Sequence, residues 1–533
     1  MNEPDTELTE TGDLEVTAIE GPSSRRRSGG RAGRVAARQA PLGKDMRPVR
    51  PGLAGGLYKP LTEADLQQVY DAAIWLLENV GMGSPIPEFI DVVTAAGGWV
   101  DGDRLYYPKA IVERAIETAA KTWTWHAWDE SHSIEVGGDK VHFGTGGAAV
   151  LMYDYPTNSF RHSTGDDVYD CGRLVDALDN IHFYVRTVVA RNHAESRLLD
   201  LNTAYGAVAG CRKPIGTSWF EKPHVYETVA MLDMLMGGEG AFRRRPIVAA
   251  NNTFVVPPMR FAEESIRCMV AQVECGMPIN LLSAGQAGAT SPAALAGSLA
   301  QALAECLAGL TTVNLMSPGH PCVMGLWPFV SDLRTGAMSG GSGEEGVLNA
   351  AAAQTANWLG LPSGVAAGMA DSKVPDNQAG YEKGLNIALA GHAGANLVYE
   401  SAGMLASLLS CSFEGLVIDN DMLGAINRTV RGIEVNEETL STQVIHDVVT
   451  GAGHFLGSQQ TLDLMQREYL YPEVGDRDTP DNWMDAGGKD QLVRAHERAN
   501  DLLENHWPDH IPADIDARVR ATFGIDVKQR PGT

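Results

Sequence analysis

Aromatic side chains recur where short apolar segments of this sequence end. They are Trp219, Phe254, Trp327, Phe329 and Tyr399. The faces of such rings attract quaternary ammonium groups without needing a hydrogen bond. A site lined by these rings, with few acids, therefore suits a cationic ligand that carries methyl groups. For any single ring the alternative, that it only fills the top of a hydrophobic core, stays open.

Polar groups accompany these rings. Asp371 and Glu400 are the candidate catalytic residues, because their carboxylates could face the ammonium end of a ligand. A carboxylate on the ligand could be bound by the side chain of Asn251 or by the backbone amides of residues 340–342. First-turn acids also stabilise a helix N-terminus, so a structural role is the alternative for carboxylates such as Glu382. The candidate substrate-binding residues beside the aromatics are Asn251, Gly341, Ser342 and Tyr381.

One group of residues has the spacing of a metal site. His320 and Cys322, with Cys411 far downstream, resemble the His-x-Cys and distant Cys of zinc sites that activate thiols. The predicted strands place these three residues on the face opposite the candidate site, so we expect no metal. The seven cysteines are sparse and mostly apolar in context, which is typical of reduced thiols. No hydrolase motif such as Gly-x-Ser-x-Gly occurs.

The elements that must position these residues are alternating strands and helices. Eight short apolar segments each precede a helical pattern, and such segments are typical of buried parallel strands. They are residues 182–190, 214–219, 246–254, 278–282, 322–327, 363–369, 396–401 and 415–418. Eight units in this length predict an α/β fold of the (β/α)8 TIM-barrel type, which does its chemistry on the loops after the strands. A doubly wound open sheet is the alternative, but no GxGxxG follows the first predicted strand and no Walker loop occurs, so nucleotide binding has no local support.

The rest of the chain adds layers to this barrel. We expect an N-terminal arm over residues 1–50, acidic and then basic, and a helix and β-meander layer over residues 51–165. The barrel is expected over residues 166–430 and a C-terminal helical extension over residues 431–533. The first helix is predicted to begin after Thr62, whose side chain can form a capping box with Asp65.

Composition limits the partners. The net charge of -25 and the pI near 4.9 disfavour a nucleic-acid partner, because the surface repels phosphate backbones. The arginines of the arm are more consistent with contact to the acidic surface of this chain or of a second copy. No apolar run reaches the ~18 residues of a membrane span, and no signal peptide is recognisable. We expect a cytoplasmic protein without a membrane partner, and the long arm and extra layers favour a homo-oligomer.

Several segments resemble the trimethylamine methyltransferase family. They are GGLYKPLTEADLQQVYDAAIWLLENVGM, LAGLTTVNLMSPGHPCVMG, SDLRTGAMSGGSGEEGVLNAAAAQ and GMADSKVPDNQAGYEKGLN. The resemblance extends from about residue 51 to 522, and it implies a barrel enzyme that moves a methyl group from a methylated amine to the cobalt of a separate corrinoid protein. The corrinoid is then supplied by that partner, and no tightly bound cofactor is expected in this chain.

The resemblance also bears on the substrate. Archaeal members of the family that use trimethylamine carry pyrrolysine near the place where this chain reads Gly368 to Lys373. Only standard residues occur here, and members without pyrrolysine are similar to glycine betaine methyltransferases, which act on quaternary amines. A quaternary ammonium already carries the charge that makes the departing amine neutral, so it needs no covalent helper. A non-catalytic betaine-binding barrel and a zinc-dependent, thiol-directed methyltransferase remain the alternatives.

Overall fold

The computed structural model describes Gly43 and residues 46–530. At its centre eight parallel strands form one sheet, with a short antiparallel strand, Leu53–Ala54, at one edge. The parallel strands are β1 (Lys140–Phe143), β2 (Tyr184–Val185), β3 (Ile215–Thr217), β4 (Val248–Asn252), β5 (Ile279–Ser283), β6 (Cys322–Leu326), β7 (Ser363–Ala366) and β8 (Leu397–Tyr399). The sheet order is Leu53–Ala54, β1, β8, β7, β6, β5, β4, β3, β2, so these strands are adjacent in space in their chain order from β2 to β8.

The sheet is strongly curled, and its two ends approach each other. An isolated bridge joins Gly144, which follows β1, to Phe183, which precedes β2. Two hydrogen bonds support it, from His182 N to Phe143 O at 2.7 Å and from Thr145 N to Phe183 O at 3.3 Å. No continuous ladder between β1 and β2 exists in the described part of the chain. The predicted α/β fold is therefore confirmed in its coarser form, a curled parallel sheet and not a fully closed barrel.

One predicted strand is wrong. Residues 415–418 lie inside the helix Phe413–Arg431, where the side chain of Ser412 accepts a hydrogen bond from Gly415 N. A four-residue apolar run fits a buried helix as well as a strand, so its period could not decide the matter. The missing parallel strand is β1, which lies within the segment that we expected to be a β-meander. The parallel sheet thus begins before residue 166.

Helices alternate with the strands of the parallel sheet, and further helices precede β1 and follow β8 in the chain. The predicted capping box between Thr62 and Asp65 is present at the start of the first helix. The long helix Leu295–Met316 packs against β5 and β6. It is long and apolar enough to span a membrane, but 89% of its apolar window is buried inside the protein. The helices are Glu63–Asn79, Pro87–Ala95, Lys109–Thr118, Gly165–Ala177, Ser196–Gly210, Lys222–Leu235, Ala241–Arg244, Glu263–Cys275, Leu295–Met316, Gly343–Trp358, Asn377–Ala393, Phe413–Arg431, Thr442–Thr450, Gln459–Leu464, Pro480–Asp485, Gln491–Asn505 and Ala513–Phe523, with a 3-10 turn at Glu130–His132.

Small sheets surround the parallel one. Thr122–Trp125 pairs with Ile134–Gly137, and Gln286–Ala287 pairs with Phe329–Val330. The remaining short strands are Met82–Gly83, Trp99–Asp101 and Arg104–Tyr106 in one sheet, and Leu151–Asp154, Ser159–His162, Met404–Leu405 and Ser410–Cys411 in another.

The expected N-terminal arm lies mostly outside the described residues. At its described end, Arg47 forms an ion pair with Asp179 at 2.7 Å.

Candidate functional site

A chain of aromatic rings crosses the interior of the curled sheet. The ring centroid of Trp125, in the strand Thr122–Trp125, lies 5.4 Å from that of Phe183, which lies 5.3 Å from the ring centroid of Tyr399 at the end of β8. The ring centroid of Trp327, which follows β6, lies 5.4 Å from that of Tyr399 and 6.2 Å from that of Phe329. Three rings expected from the sequence, Trp327, Phe329 and Tyr399, are thus brought together at the carboxyl ends of the strands.

Glu400 follows this cluster directly, and its carboxyl group is fully buried. Neither of its carboxylate oxygens has a hydrogen-bond partner among the residues the structure describes. Burial raises the pKa of Glu400 to about 8. Its backbone has a φ of 61°, a left-handed conformation that a residue with a side chain adopts only when its surroundings enforce it.

A second carboxyl group, that of Glu345, lies in the same region. It is in the first turn of the helix Gly343–Trp358, is fully buried, and within the described chain neither of its carboxylate oxygens accepts a hydrogen bond of good geometry. Burial raises the pKa of Glu345 well above its usual range, the nearby carboxylates of Glu400 and Asp371 raise it further, and a weaker contact with the Val330 backbone lowers it. A buried carboxylate without partners is costly unless a cation compensates it. We call Glu345, Glu400, Trp327, Phe329 and Tyr399 the acid–aromatic site.

Two glycines make room for Glu400. A Cβ atom on Gly368 would lie 2.1 Å from Glu400 O and 2.4 Å from Ser401 Cα, closer than backbone atoms allow. A Cβ atom on Gly146 would lie 2.8 Å from Glu400 Cγ. The loops after β1 and β7 therefore hold Glu400 from two sides.

Asp371, the other candidate catalytic acid, has different surroundings. Its carboxylate accepts hydrogen bonds from Ser339 Oγ at 3.0 Å, Gly340 N at 2.8 Å and Ser407 Oγ at 2.6 Å. These donors lie on the loops after β6 and β8. Asp371 therefore holds the loops at the mouth of the sheet together, and its oxygens are already occupied.

A cavity of about 370 Å³ opens beside the ends of β2, β3 and β4. Trp219 and Asn251, both predicted from the sequence, line it together with Arg186 and Asp200. The Trp219 indole donates to Thr228 Oγ1 at 2.8 Å, which fixes the orientation of the ring.

Asn251 connects this cavity to the acid–aromatic site. Its Oδ1 accepts a hydrogen bond from Asn280 Nδ2 at 2.7 Å. The side chain of Asn280 interacts in turn with Tyr399, where it lowers the pKa of the hydroxyl while burial, the larger effect, raises it.

The other predicted site residues lie elsewhere. The ring of Phe254 packs away from the other rings, with its centroid 6.3 Å from that of Phe261 and its edge against Gly309 in the helix Leu295–Met316. Tyr381 is 65% exposed and lines a separate cavity of about 880 Å³.

Gly341 and Ser342 have structural surroundings. A Cβ atom on Gly341 would lie 2.4 Å from Glu382 Cδ, so this glycine permits close packing. The Ser342 hydroxyl caps the helix Gly343–Trp358 by accepting a hydrogen bond from Glu345 N at 3.3 Å. Ser342 therefore positions the turn that carries Glu345.

His320, Cys322 and Cys411, the residues of the zinc alternative, do not form a metal site in the described structure. The Nε2 atom of His320 bonds to Met277 O at 2.8 Å, and Cys411 lies in a strand that pairs with Leu151–Asp154. Burial raises the pKa of the Cys322 thiol, which disfavours the thiolate that zinc binds. Over Gly43 and residues 46–530, no group of three or more His, Cys, Asp or Glu side chains is arranged to hold a metal ion.

Sequence reasoning missed Glu345 and Arg186. Glu345 resembles any first-turn acid, and only its burial distinguishes it from Glu344. Arg186 directly follows β2, so the rule that strand ends carry the site could have identified it. Phe183 was also missed, because it precedes its strand and joins the site only through the curl of the sheet.

Comparisons with known proteins identify the family of this chain. The profile of the trimethylamine methyltransferase (MTTB) family matches residues 26–530. Glycine betaine methyltransferase of Desulfitobacterium hafniense strain Y51 is 29% identical over 467 residues, which cover 87% of this chain and 96% of that protein. Trimethylamine methyltransferase MttB of Desulfitobacterium hafniense strain DSM 10664 / DCB-2 is 32% identical over 481 residues, 88% of this chain and 93% of that protein.

A solved structure is also similar. The monomethylamine methyltransferase (MtmB) of Methanosarcina barkeri covers 87% of this chain and 90% of its own length, at 10% identity and a TM-score of 0.48. The family profile and the two relatives span most of the chain. This chain is therefore a methyltransferase and belongs to the trimethylamine methyltransferase family.

Proposed function

We propose that this protein transfers a methyl group from a quaternary, or tertiary, methylated amine such as glycine betaine to the Co(I) of a separate corrinoid protein. Family membership and the activities for which the relatives are named support the reaction class. The observation that carries the proposal is the acid–aromatic site, in which two buried carboxyl groups lack hydrogen bonds of good geometry among the described residues, Glu400 directly follows Tyr399, and the rings of Trp327, Phe329 and Tyr399 lie together. Such a site suits a cation that cannot donate hydrogen bonds.

The chemistry of a quaternary amine matches what these residues can do. The C–N bond breaks and its electron pair stays on nitrogen, while the cobalt electron pair forms the new bond to carbon. No proton has to be transferred, so Glu345 and Glu400 need not act as acid or base. Their task is to stabilise the ammonium while the rings of Trp327 and Tyr399 orient one methyl group and exclude water.

Charge dispersal favours the reaction in this setting. The positive charge on nitrogen spreads along the line of transfer as the methyl group leaves. A site of low polarity then stabilises the dispersed charge relative to the hydrated cation. The aromatic rings supply this low polarity, and Asp371 keeps the loops around them closed.

The wider arrangement is part of the same proposal. The curled sheet works as a (β/α)8 barrel, with its site at the carboxyl ends of the strands. The corrinoid protein docks over this mouth and brings the cobalt to the methyl group, so the chain needs no tightly bound cofactor. We further propose a cytoplasmic homo-oligomer, in keeping with the acidic composition and the extra layers.

The test is methyl transfer to a reduced corrinoid, followed by the change in absorbance as methyl-cobalt forms. We expect turnover with glycine betaine or a similar quaternary amine and none with trimethylamine. Activity on trimethylamine alone would contradict the substrate class but not the reaction. Binding of quaternary amines without any methyl-cobalt formation would instead identify a non-catalytic betaine-binding barrel.

A further inference from the structure

We propose that Arg186 binds a carboxylate on the substrate, so that the protein selects zwitterionic methylated amines over purely cationic ones. This inference rests on the proposed function, because it assigns the second end of the same ligand. The acid–aromatic site takes the ammonium end, and the cavity lined by Arg186 takes the carboxylate end.

Arg186 is a partly buried cation at the edge of that cavity. Its Nη1 donates to Gly147 O at 3.1 Å, and its Nη2 donates to Ser218 Oγ. Burial lowers the pKa of Arg186 to about 10, so the guanidinium stays charged at neutral pH. A guanidinium has five N–H donors, and these two contacts leave others for a ligand.

No protein carboxylate neutralises Arg186 by direct contact in the described part of the chain. The acid that influences its pKa is Asp200, whose Oδ2 is already bonded to His224 Nδ1 at 2.6 Å and to Phe220 N at 2.9 Å. A partly buried charge without a direct counter-ion is costly to the fold. A ligand carboxylate would supply that counter-ion, with the paired geometry that guanidinium groups favour.

The two halves of the site adjoin each other. Arg186 donates to the carbonyl of Gly147, and the preceding residue, Gly146, packs directly on Glu400. On the other side, the pair of Asn251 and Asn280 spans from the cavity to Tyr399. The cavity that holds Arg186 and the acid–aromatic site are therefore joined through the backbone of residues 146–147 and through the Asn251–Asn280 pair, so one ligand with an ammonium and a carboxylate end can reach both.

A structural role is the competing explanation of Arg186. In that case it only ties the loop after β1 to the loop after β3, through Gly147 and Ser218. Such a tie would affect every ligand of the site equally. The carboxylate role affects only ligands that carry a carboxylate, and this difference can be measured.

The test is calorimetric binding without corrinoid, with glycine betaine and choline as ligands. They share the trimethylammonium group, but only glycine betaine carries a carboxylate. We expect Arg186→Gln to weaken glycine betaine binding about 100-fold, as loss of a buried charge partner does, and to change choline binding less than about threefold, within the scatter of surface effects. Arg186→Lys should restore part of the loss. Arg197→Gln, which removes a partly exposed ion pair with Glu227, is the matched control and should change neither affinity.

Two results would overturn the proposal. One is an equal loss for both ligands, which would assign Arg186 a structural role, and the other is no loss for glycine betaine. If Arg186→Gln fails to fold, the wild-type protein still decides, because equal affinity for glycine betaine and its methyl ester would exclude a carboxylate contact. The readout is binding, so failure of methyl transfer with the preference for glycine betaine intact would contradict the proposed function and leave this inference standing.

Discussion

The raised pKa of Glu400 predicts that binding of a quaternary amine depends on pH. With a pKa of about 8, Glu400 is about nine-tenths protonated at pH 7 in the free protein. An ammonium bound beside it favours the carboxylate and lowers that pKa, so binding at pH 7 releases close to one proton. The affinity for glycine betaine should therefore rise about tenfold between pH 7 and pH 9, in proportion to the carboxylate fraction.

The assay is calorimetry at both pH values, in buffers with different ionisation enthalpies. Glycine betaine does not change its charge between pH 7 and pH 9, so the proton comes from the protein. Glu400→Gln should remove most of the pH dependence, and Glu345→Gln should reduce it as well. The matched control is Glu344→Gln, an exposed neighbour that should leave it intact. An affinity that does not change with pH, with a binding enthalpy independent of the buffer, would refute the reasoning.

The same pKa has a consequence for stability. Between the ordinary value of 4.5 and about 8, the folded protein holds a proton on Glu400 that the unfolded chain releases. The free energy of unfolding therefore falls as the pH rises through this window, by at most about 5 kcal/mol. Glu400→Gln should raise the melting temperature of the ligand-free protein at pH 9 more than at pH 5. An equal change at both pH values would contradict a buried, neutral Glu400.

Two further substitutions test the surroundings of the acid–aromatic site. Trp327→Ala should weaken quaternary-amine binding by about 1–2 kcal/mol, because a desolvated contact between a cation and a ring is lost; the exposed Trp75→Ala is its control, and an unchanged affinity would remove Trp327 from the site. Gly368→Ala should displace Glu400 and lower both activity and melting temperature, because its Cβ would collide with backbone atoms at 2.1 Å and 2.4 Å. Its control is Gly380→Ala, in a helix where an added Cβ meets nothing within 4 Å, and this substitution should stabilise the protein by about 0.5–1 kcal/mol. Full activity of Gly368→Ala would mean that activity does not depend on the position of Glu400.

The sequence predicted most of the fold because buried parallel strands leave a clear pattern. Seven of the eight predicted strand segments overlap β2 to β8. The error at residues 415–418 arose because a short apolar run has no period of its own, and the Ser412 cap decided in favour of a helix. β1 was overlooked because its neighbours in sequence form antiparallel hairpins.

The site was predictable only where strand ends decide the position of a side chain. Trp327, Phe329 and Tyr399 follow that rule, and their rings lie together. Phe254 also follows a strand, but its ring packs against Phe261 and the helix Leu295–Met316, because the chain after β4 turns outward into the helical layer. The role of Glu345 depends on its burial against the loops after β7 and β8, which is a tertiary property that no local pattern encodes.

A crystal structure with bound glycine betaine tests the central claim most directly. We predict the trimethylammonium group at the acid–aromatic site, within about 6 Å of the ring centres of Trp327 and Tyr399, with a carboxylate oxygen facing Arg186. A ligand bound in the cavity beside Tyr381, with Glu345 and Glu400 still without a partner, would contradict the account.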